Sequence, residues 1–155
     1  MKRKGGFTLV ELLIVIMIIG ILAGMVLLSM GPVLDSVKAS NIISDTRTVL
    51  SAAQMFLIEE MKTPEAADAA KLEGFMNKKL DTKKYAAFAF VKMDNGAEYV
   101  GVELTGDYKG DGVKGSLKKK AADVGGVGAA KGATDVTNPY NNEDCFLLPL
   151  RQATL

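Results

Sequence analysis

From Leu12 to Met30 the chain runs nineteen residues without a charge, and no other stretch limits its folding so tightly. As a helix rising about 1.5 Å per residue this segment spans roughly 28 Å, close to the roughly 30 Å hydrocarbon core of a bilayer. Twelve of the nineteen are Leu, Ile or Val. At about 0.3–0.6 kcal/mol each they favour insertion by roughly 4–7 kcal/mol, against about 2.5–3.5 kcal/mol for one charge at the centre of a span. Insertion wins even with Glu11 counted, a carboxylate at the edge of the segment. Lys2, Arg3 and Lys4 precede it, and the positive-inside rule leaves that end in the cytoplasm and everything after Met30 outside.

The remainder of the 155 residues suffices for one small folded region rather than several domains. The leader cluster supplies three of the 19 basic residues, against 18 acidic ones, so the chain from Phe7 onward is slightly acidic. No strongly basic body remains, and nucleic acid is not expected as a partner. His is absent and Cys145 is the single cysteine. That composition removes Ser-His and Cys-His catalysis, His-based metal sites and an internal disulfide, leaving an expectation of a non-enzyme without a cofactor. Cys145 could pair only between chains.

A secretory signal places its small-residue cleavage site after the apolar stretch, where this chain offers only Ala23, Gly24, Ser29 and Gly31. Gly5 and Gly6 stand before it instead. A cut at Gly6 leaves the whole apolar helix on the mature protein, which then begins at Phe7.

The segment "KGGFTLVELLIVIMIIGILAG" resembles the N-terminus of type IV pilins and of the pseudopilins of type II secretion. The match covers about the first thirty residues and includes the basic leader, Gly6, Phe7, Thr8, Leu9, Glu11 and Gly20. The resemblance implies cleavage between Gly6 and Phe7 by a prepilin peptidase, then N-methylation of the new Phe7 amine by the same enzyme. It also implies that Glu11 pairs with the Phe7 amine of a neighbouring subunit during filament assembly. Intramembrane acids are rare and mark function, and a buried unpaired charge costs several kcal/mol, so an amine arriving only in correct axial register would make Glu11 an assembly ruler. Many pilins carry proline where this chain has Leu28; here Gly31 and Pro32 follow later, and a kink or locally unwound stretch is expected there.

Beyond Pro32 the pattern becomes one apolar stripe, Ala39, Ile42, Ile43, Val49, Leu50, Ala53, Phe56 and Leu57, with Ser36, Ser40, Ser44, Arg47, Ser51 and Gln54 opposite. The helix is expected to reach about Met61. Thr63-Pro64 ends it, and the following Ala, Glu and Lys suggest a short helix closing near Leu80. Lys78, Lys79, Lys83 and Lys84 read as solvated surface. "YAAFAFVKMDNGAEYVGVEL" is a hairpin about Asn95-Gly96, with Phe88 and Phe90 on one face of the first strand and Val100, Val102 and Leu104 on one face of the second, turned to the stripe. "CFLLPL", Cys145 to Leu150, is a further strand, placed at an edge by Pro149.

Between Gly106 and Asn138 no sustained period shows, so loops are expected, with a turn of strand at Val113 to Leu117 and a helical turn near Lys118 to Asp123. "GVGAAKG" lacks the spacing of a phosphate loop and reads as a mobile glycine loop. Asp107 and Asp111 are weak calcium candidates, because the alternating acidic pattern and the terminal Glu of a calcium loop are missing. Pilins often clamp their C-terminal loop with a disulfide, and Cys145 has no partner for one.

The expected architecture is α+β and pilin-like: a leader at 1–6, a transmembrane and assembly half-helix at 7–31, and an exported head at 32–155 that includes the amphipathic half-helix. The expected role is a homo-oligomeric, filament-forming structural subunit that meets a prepilin peptidase, membrane lipid and an inner-membrane assembly platform. It would lie first in the inner membrane, then in a surface pilus or, as the near alternative, a periplasmic pseudopilus. The rival from another class is a monomeric anchored binding module that captures lipid, DNA or calcium and is never cut.

Overall fold

The computed structural model describes residues 6–76 and 78–151. Lys2, Arg3, Lys4 and Gly5 lie outside the described residues. The chain divides into two compact units, Met1–Leu34 and Asp35–Leu155, and helix α1, Leu9–Glu60, contributes to both. The expected unwinding at Gly31 and Pro32 does not occur, since both positions are helical. Proline removes its own N–H from the ladder, and long helical flanks on both sides absorb one missing bond because helix propagation is cheap once nucleated.

In the first unit every side chain described from Phe7 to Leu27 is exposed. The second unit holds the core. Its elements after α1 are a 3-10 turn at Ala66–Asp68, α2 at Ala69–Gly74, β1 at Tyr85–Lys92, β2 at Glu98–Leu104, a 3-10 turn at Gly106–Tyr108, α3 at Asp111–Val124, β3 at Val127–Ala129 and β4 at Cys145–Arg151. The four strands form one antiparallel sheet in the order β1-β2-β4-β3. Long apolar helix followed by small antiparallel sheet is the α+β, pilin-like arrangement expected.

The stripe on α1 packs where the pattern placed it. Ala39, Ile42, Ile43, Val49, Ala53 and Phe56 are buried with Val100, Val102, Leu104, Phe146 and Leu148, and Phe88, Phe90 and Leu50 close over that core. Tyr85 fastens the start of β1 to α1 by donating its phenolic O–H to Asp45 Oδ2 at 2.7 Å; burial, then this bond, push the phenol's pKa well above its ordinary value. The hairpin turn is as expected: Gly96 takes φ 83°, and Met93 N–H reaches Ala97 C=O at 2.9 Å.

Four expectations fail for identifiable reasons. The helix after Pro64 stops at Gly74 rather than near Leu80. The segment Val113 to Leu117 is not strand but part of α3, whose Val113, Leu117 and Ala121 form a buried stripe one and two turns apart; Gly110, Gly112, Gly115 and the lysine run disguised that period. Gly112 suits the helix start, because a Cβ there would meet the Asp35 carboxylate. Gly125 ends α3 in the left-handed conformation, φ 69°, while Gly126 N–H reaches back to Ala121 C=O at 2.8 Å. "GVGAAKG" is not a free loop, since Val127–Ala129 forms β3 against Cys145–Leu147. That pairing also moves β4 into the sheet interior, against the edge placement. Pro149 is still tolerated, because β3 pairs no further than Leu147, leaving the proline's missing N–H on an open side.

Lys120, from α3, donates through Nζ to Ser36 C=O, Ser36 Oγ and Ser40 Oγ at 2.6–2.9 Å, tying α3 to α1. Since α3 is held by its buried stripe, Leu117→Ala should lower the unfolding free energy by about 2–5 kcal/mol. The exposed Lys119→Ala should change it by less than about 0.5 kcal/mol. Chemical denaturation of both variants checks the assignment; equal, small effects would return this segment to a loop.

Candidate functional site

The residues named for processing lie just ahead of α1, and Glu11, named for assembly, lies in its first turn. Gly6, Phe7 and Thr8 precede the helix in non-helical backbone, and the Phe7 side chain is 85% exposed. The peptide bond between Gly6 and Phe7 therefore lies in open chain ahead of a helix. No atom of the fold comes within 4 Å of a Cβ built at Gly6, so the fold itself makes no demand for glycine there.

Thr8 and Glu11 form a reciprocal capping box. Thr8 C=O accepts the first helical bond, from Leu12 N–H at 3.2 Å. Thr8 Oγ1 accepts from Glu11 N–H at 3.2 Å. In return Glu11 Oε2 accepts from Thr8 N–H at 2.8 Å and from the Thr8 hydroxyl at 2.7 Å. Donors at a helix N-terminus have no partner within the helix, and an acid in the first turn also meets the positive end of the helix dipole. Glu11 thus has donors within its own chain. Sequence reasoning sought its partner only in a neighbouring molecule, although Thr-x-x-Glu ahead of an apolar run is itself the signal of this cap.

Thirteen large apolar side chains from Leu12 to Leu27, among them Ile16 and Ile19, are at least 44% exposed. Among the described residues α1 is the one helix long and apolar enough to cross a membrane.

The candidates that the head offers stand apart from one another among the described residues. Asp107 lies in the 3-10 turn and Asp111 opens α3. Among the described residues no three acidic, His or Cys side chains gather where a metal ion could sit. The basic run is also divided: Lys78, Lys79 and Lys83 are exposed, whereas Lys84 is half-buried over the Tyr108 ring, 3.8 Å from Asp81 Oδ2. Cys145 is buried in β4, and burial pushes its thiol up to about 11. At neutral pH a buried thiol of that kind is inert, so the folded chain offers no exposed cysteine for pairing between copies.

The C-terminal loop is clamped by lysines instead. Lys114 Nζ and Lys109 Nζ meet the two oxygens of Asp144 at 2.8 and 2.9 Å, drawing α3 and the preceding turn to the entry of β4. Tyr140 O–H donates to Glu143 C=O at 2.8 Å, and Glu143 Oε2 accepts from Asn141 N–H at 2.6 Å. Nothing in the linear spacing of Lys109, Lys114 and Asp144 announces this cluster; β4 has to be placed first.

Residues 1–27 match the family model described as the prokaryotic N-terminal methylation motif, the leader signature of type IV pilins and pseudopilins. No curated protein and no solved structure matches the chain. The motif supports a pilin-like or pseudopilin-like precursor, and the exposed apolar helix fits a membrane anchor of a single pass. Such a leader implies processing by a prepilin peptidase, and its family is structural rather than catalytic.

The Lys114 hydrogen bond, then that from Lys109, hold the Asp144 carboxyl below its ordinary value. A depressed folded-state pKa contributes stability that is present above the unfolded value, about 3.9, and lost as pH falls through the folded one. Asp144→Asn should therefore be less stable than the unaltered chain at neutral pH, with the difference shrinking below about pH 4. Thermal unfolding across that range measures it, and a difference independent of pH would sink the clamp.

Proposed function

We propose that the chain is the precursor of a filament subunit. Prepilin peptidase cuts between Gly6 and Phe7 and methylates the new amine. The mature chain waits in the inner membrane with its N-terminus cytoplasmic, and an assembly platform then extracts it into a helical homopolymer of the type IV pilus kind. The observation that carries this reading is the methylation motif joined to a helix whose apolar side chains are exposed on all sides. Those side chains need lipid first and other copies afterwards.

Glu11 supplies the register. In the isolated chain its carboxylate is occupied by Thr8, and Oε1 takes no part in that box. A methylated Phe7 amine from an adjoining subunit adds an opposite charge, which an acid enclosed among apolar helices requires. Misaligned subunits leave the charge unmatched.

A pseudopilin of type II secretion shares all of this physics. The buried, unpaired Cys145 and the lysine clamp in place of a disulfide favour that second reading. Surface filaments that disappear on deletion while secretion continues decide for the pilus. The monomeric binding module stands apart, because it needs no cut.

Mass spectrometry of protein from cells should find a chain beginning at methylated Phe7. An intact Met1, or a cut after the apolar segment, defeats the proposal and favours the monomeric anchor. Glu11→Val should still fractionate with membranes but form no filaments by electron microscopy; normal filaments from that variant take Glu11 out of the mechanism.

A further inference from the structure

Strand β1 lies at one edge of the sheet. Met93 N–H donates to Ala97 C=O at 2.9 Å, and the pairing runs unshifted from Lys92 opposite Glu98 to Ala87 opposite Glu103. Bonding alternates along an antiparallel pair. Ala87, Ala89 and Val91 therefore bond to β2, while the N–H and C=O of Phe88, Phe90 and Lys92 point away from the sheet. Among the described residues no backbone group pairs with them.

Native sheets protect such edges by shortness, cover, proline or charge. The opposite edge follows that rule: β3 is three residues long, and Gly128 on its outer side exchanges backbone bonds with Thr137 at 2.7 and 2.9 Å. β1 is eight residues long and holds no proline, and from Tyr85 to Val91 it holds no charge. Ala86 and Ala87 are exposed. One cavity reaches Phe90 and Leu150 on one face of the sheet and Val91 and Tyr99 on the other, passing around this edge.

Charge stands only at the two ends, in "KKYAAFAFVK". Lys83 is exposed, Lys84 half-buried and the Lys92 side chain 73% exposed. Lys84 Nζ lies 3.8 Å from Asp81 Oδ2 and Lys92 Nζ 3.5 Å from Glu98 Oε1. Both distances exceed the roughly 2.7–2.9 Å of a charge-assisted hydrogen bond, so these ammonium groups keep donors for a further acceptor. The same lysines oppose a second copy. An antiparallel self-pair matching Phe88 with Phe88 sets Lys92 opposite the other copy's Lys84, and one matching Phe88 with Phe90 sets it diagonally beside that lysine. Like charges so placed are destabilising.

We infer that the outer edge of β1 takes an extended segment of another protein as a fifth strand, uncharged over about seven residues and acidic at both ends. Its main chain satisfies the outward groups of Phe88, Phe90 and Lys92, and its side chains fill the cavity on either face. Its terminal carboxylates meet the lysines, which select against basic segments and against copies of this chain. The pairing uses neither the leader nor Glu11, so its failure leaves the filament reading untouched.

The probe is the peptide acetyl-Asp-Thr-Val-Thr-Val-Thr-Val-Thr-Asp-amide, as long as the stretch from Lys84 to Lys92, titrated into full-length protein in detergent micelles. Calorimetry should show saturable binding, roughly tenfold weaker when both Asp are replaced by Lys. Methylation of alternate peptide nitrogens, which removes main-chain donors, should abolish it. Hydrogen exchange should slow at the Phe88 and Phe90 amides at saturation, while Ala87 and Ala89, already bonded to β2, change little. The double variant Lys83→Gln, Lys92→Gln should narrow the preference for acidic ends. Absence of saturable binding at millimolar peptide, equal affinity for both peptides, or binding that leaves the Phe88 and Phe90 amides unchanged overturns the inference. So does slowing of those amides on concentrating the protein alone, which gives the edge to a second copy.

Discussion

An apolar helix whose side chains have no cover within their own chain is the constraint from which the rest follows. From Leu12 to Met30 no charge interrupts it, and each Å2 of apolar surface left in water forgoes about 25 cal/mol. Such a segment persists only in lipid or against other helices. A cut ahead of it, at Gly6, keeps the apolar surface on the mature chain, whereas a cut behind it would discard that surface.

Glu11 makes sense inside that constraint in two stages. Within one chain it completes a cap with Thr8, joining a carboxylate to donors that a helix start always leaves over. The cap answers for local stability but needs no particular position along a membrane. In the proposed filament a second partner of opposite charge would add positional information, since attraction between buried charges falls off quickly when they are misaligned. The cap and the proposed assembly role are compatible because the same carboxylate would serve donors in the chain and a charge outside it.

The head solves the ordinary problem of a small sheet, which is marginal without a covering layer. The lower half of α1 covers one face through Ile42, Val49 and Phe56, with α3 alongside through Val113 and Leu117. The second face is covered more thinly, where Val91, Val127, Ala129, Cys145 and Leu147 meet Ala133 and Val136. Without a disulfide, the loop before β4 depends on Asp144 and its two lysines, and on the Tyr140 ring set edge-on against Phe146.

The linear order of residues by itself determined whatever rests on local period and short motifs. The charge-free span, the methylation motif, the stripe of α1 and the hairpin about Asn95-Gly96 are each visible within a few turns or strand lengths of chain, because the physics that selects them acts between near neighbours. Tertiary structure alone decided the rest. Val127–Ala129 is strand only because β4 offers it a ladder. Val113 and Leu117 are recognisable as one helical face once a core stands beneath them. Lys114 reaches Asp144, and the Oε2 atom of Glu98 is buried without a hydrogen bond, through contacts between residues far apart in sequence or by burial under other elements. Those outcomes depend on which surfaces meet, and no window of sequence contains both sides of the meeting.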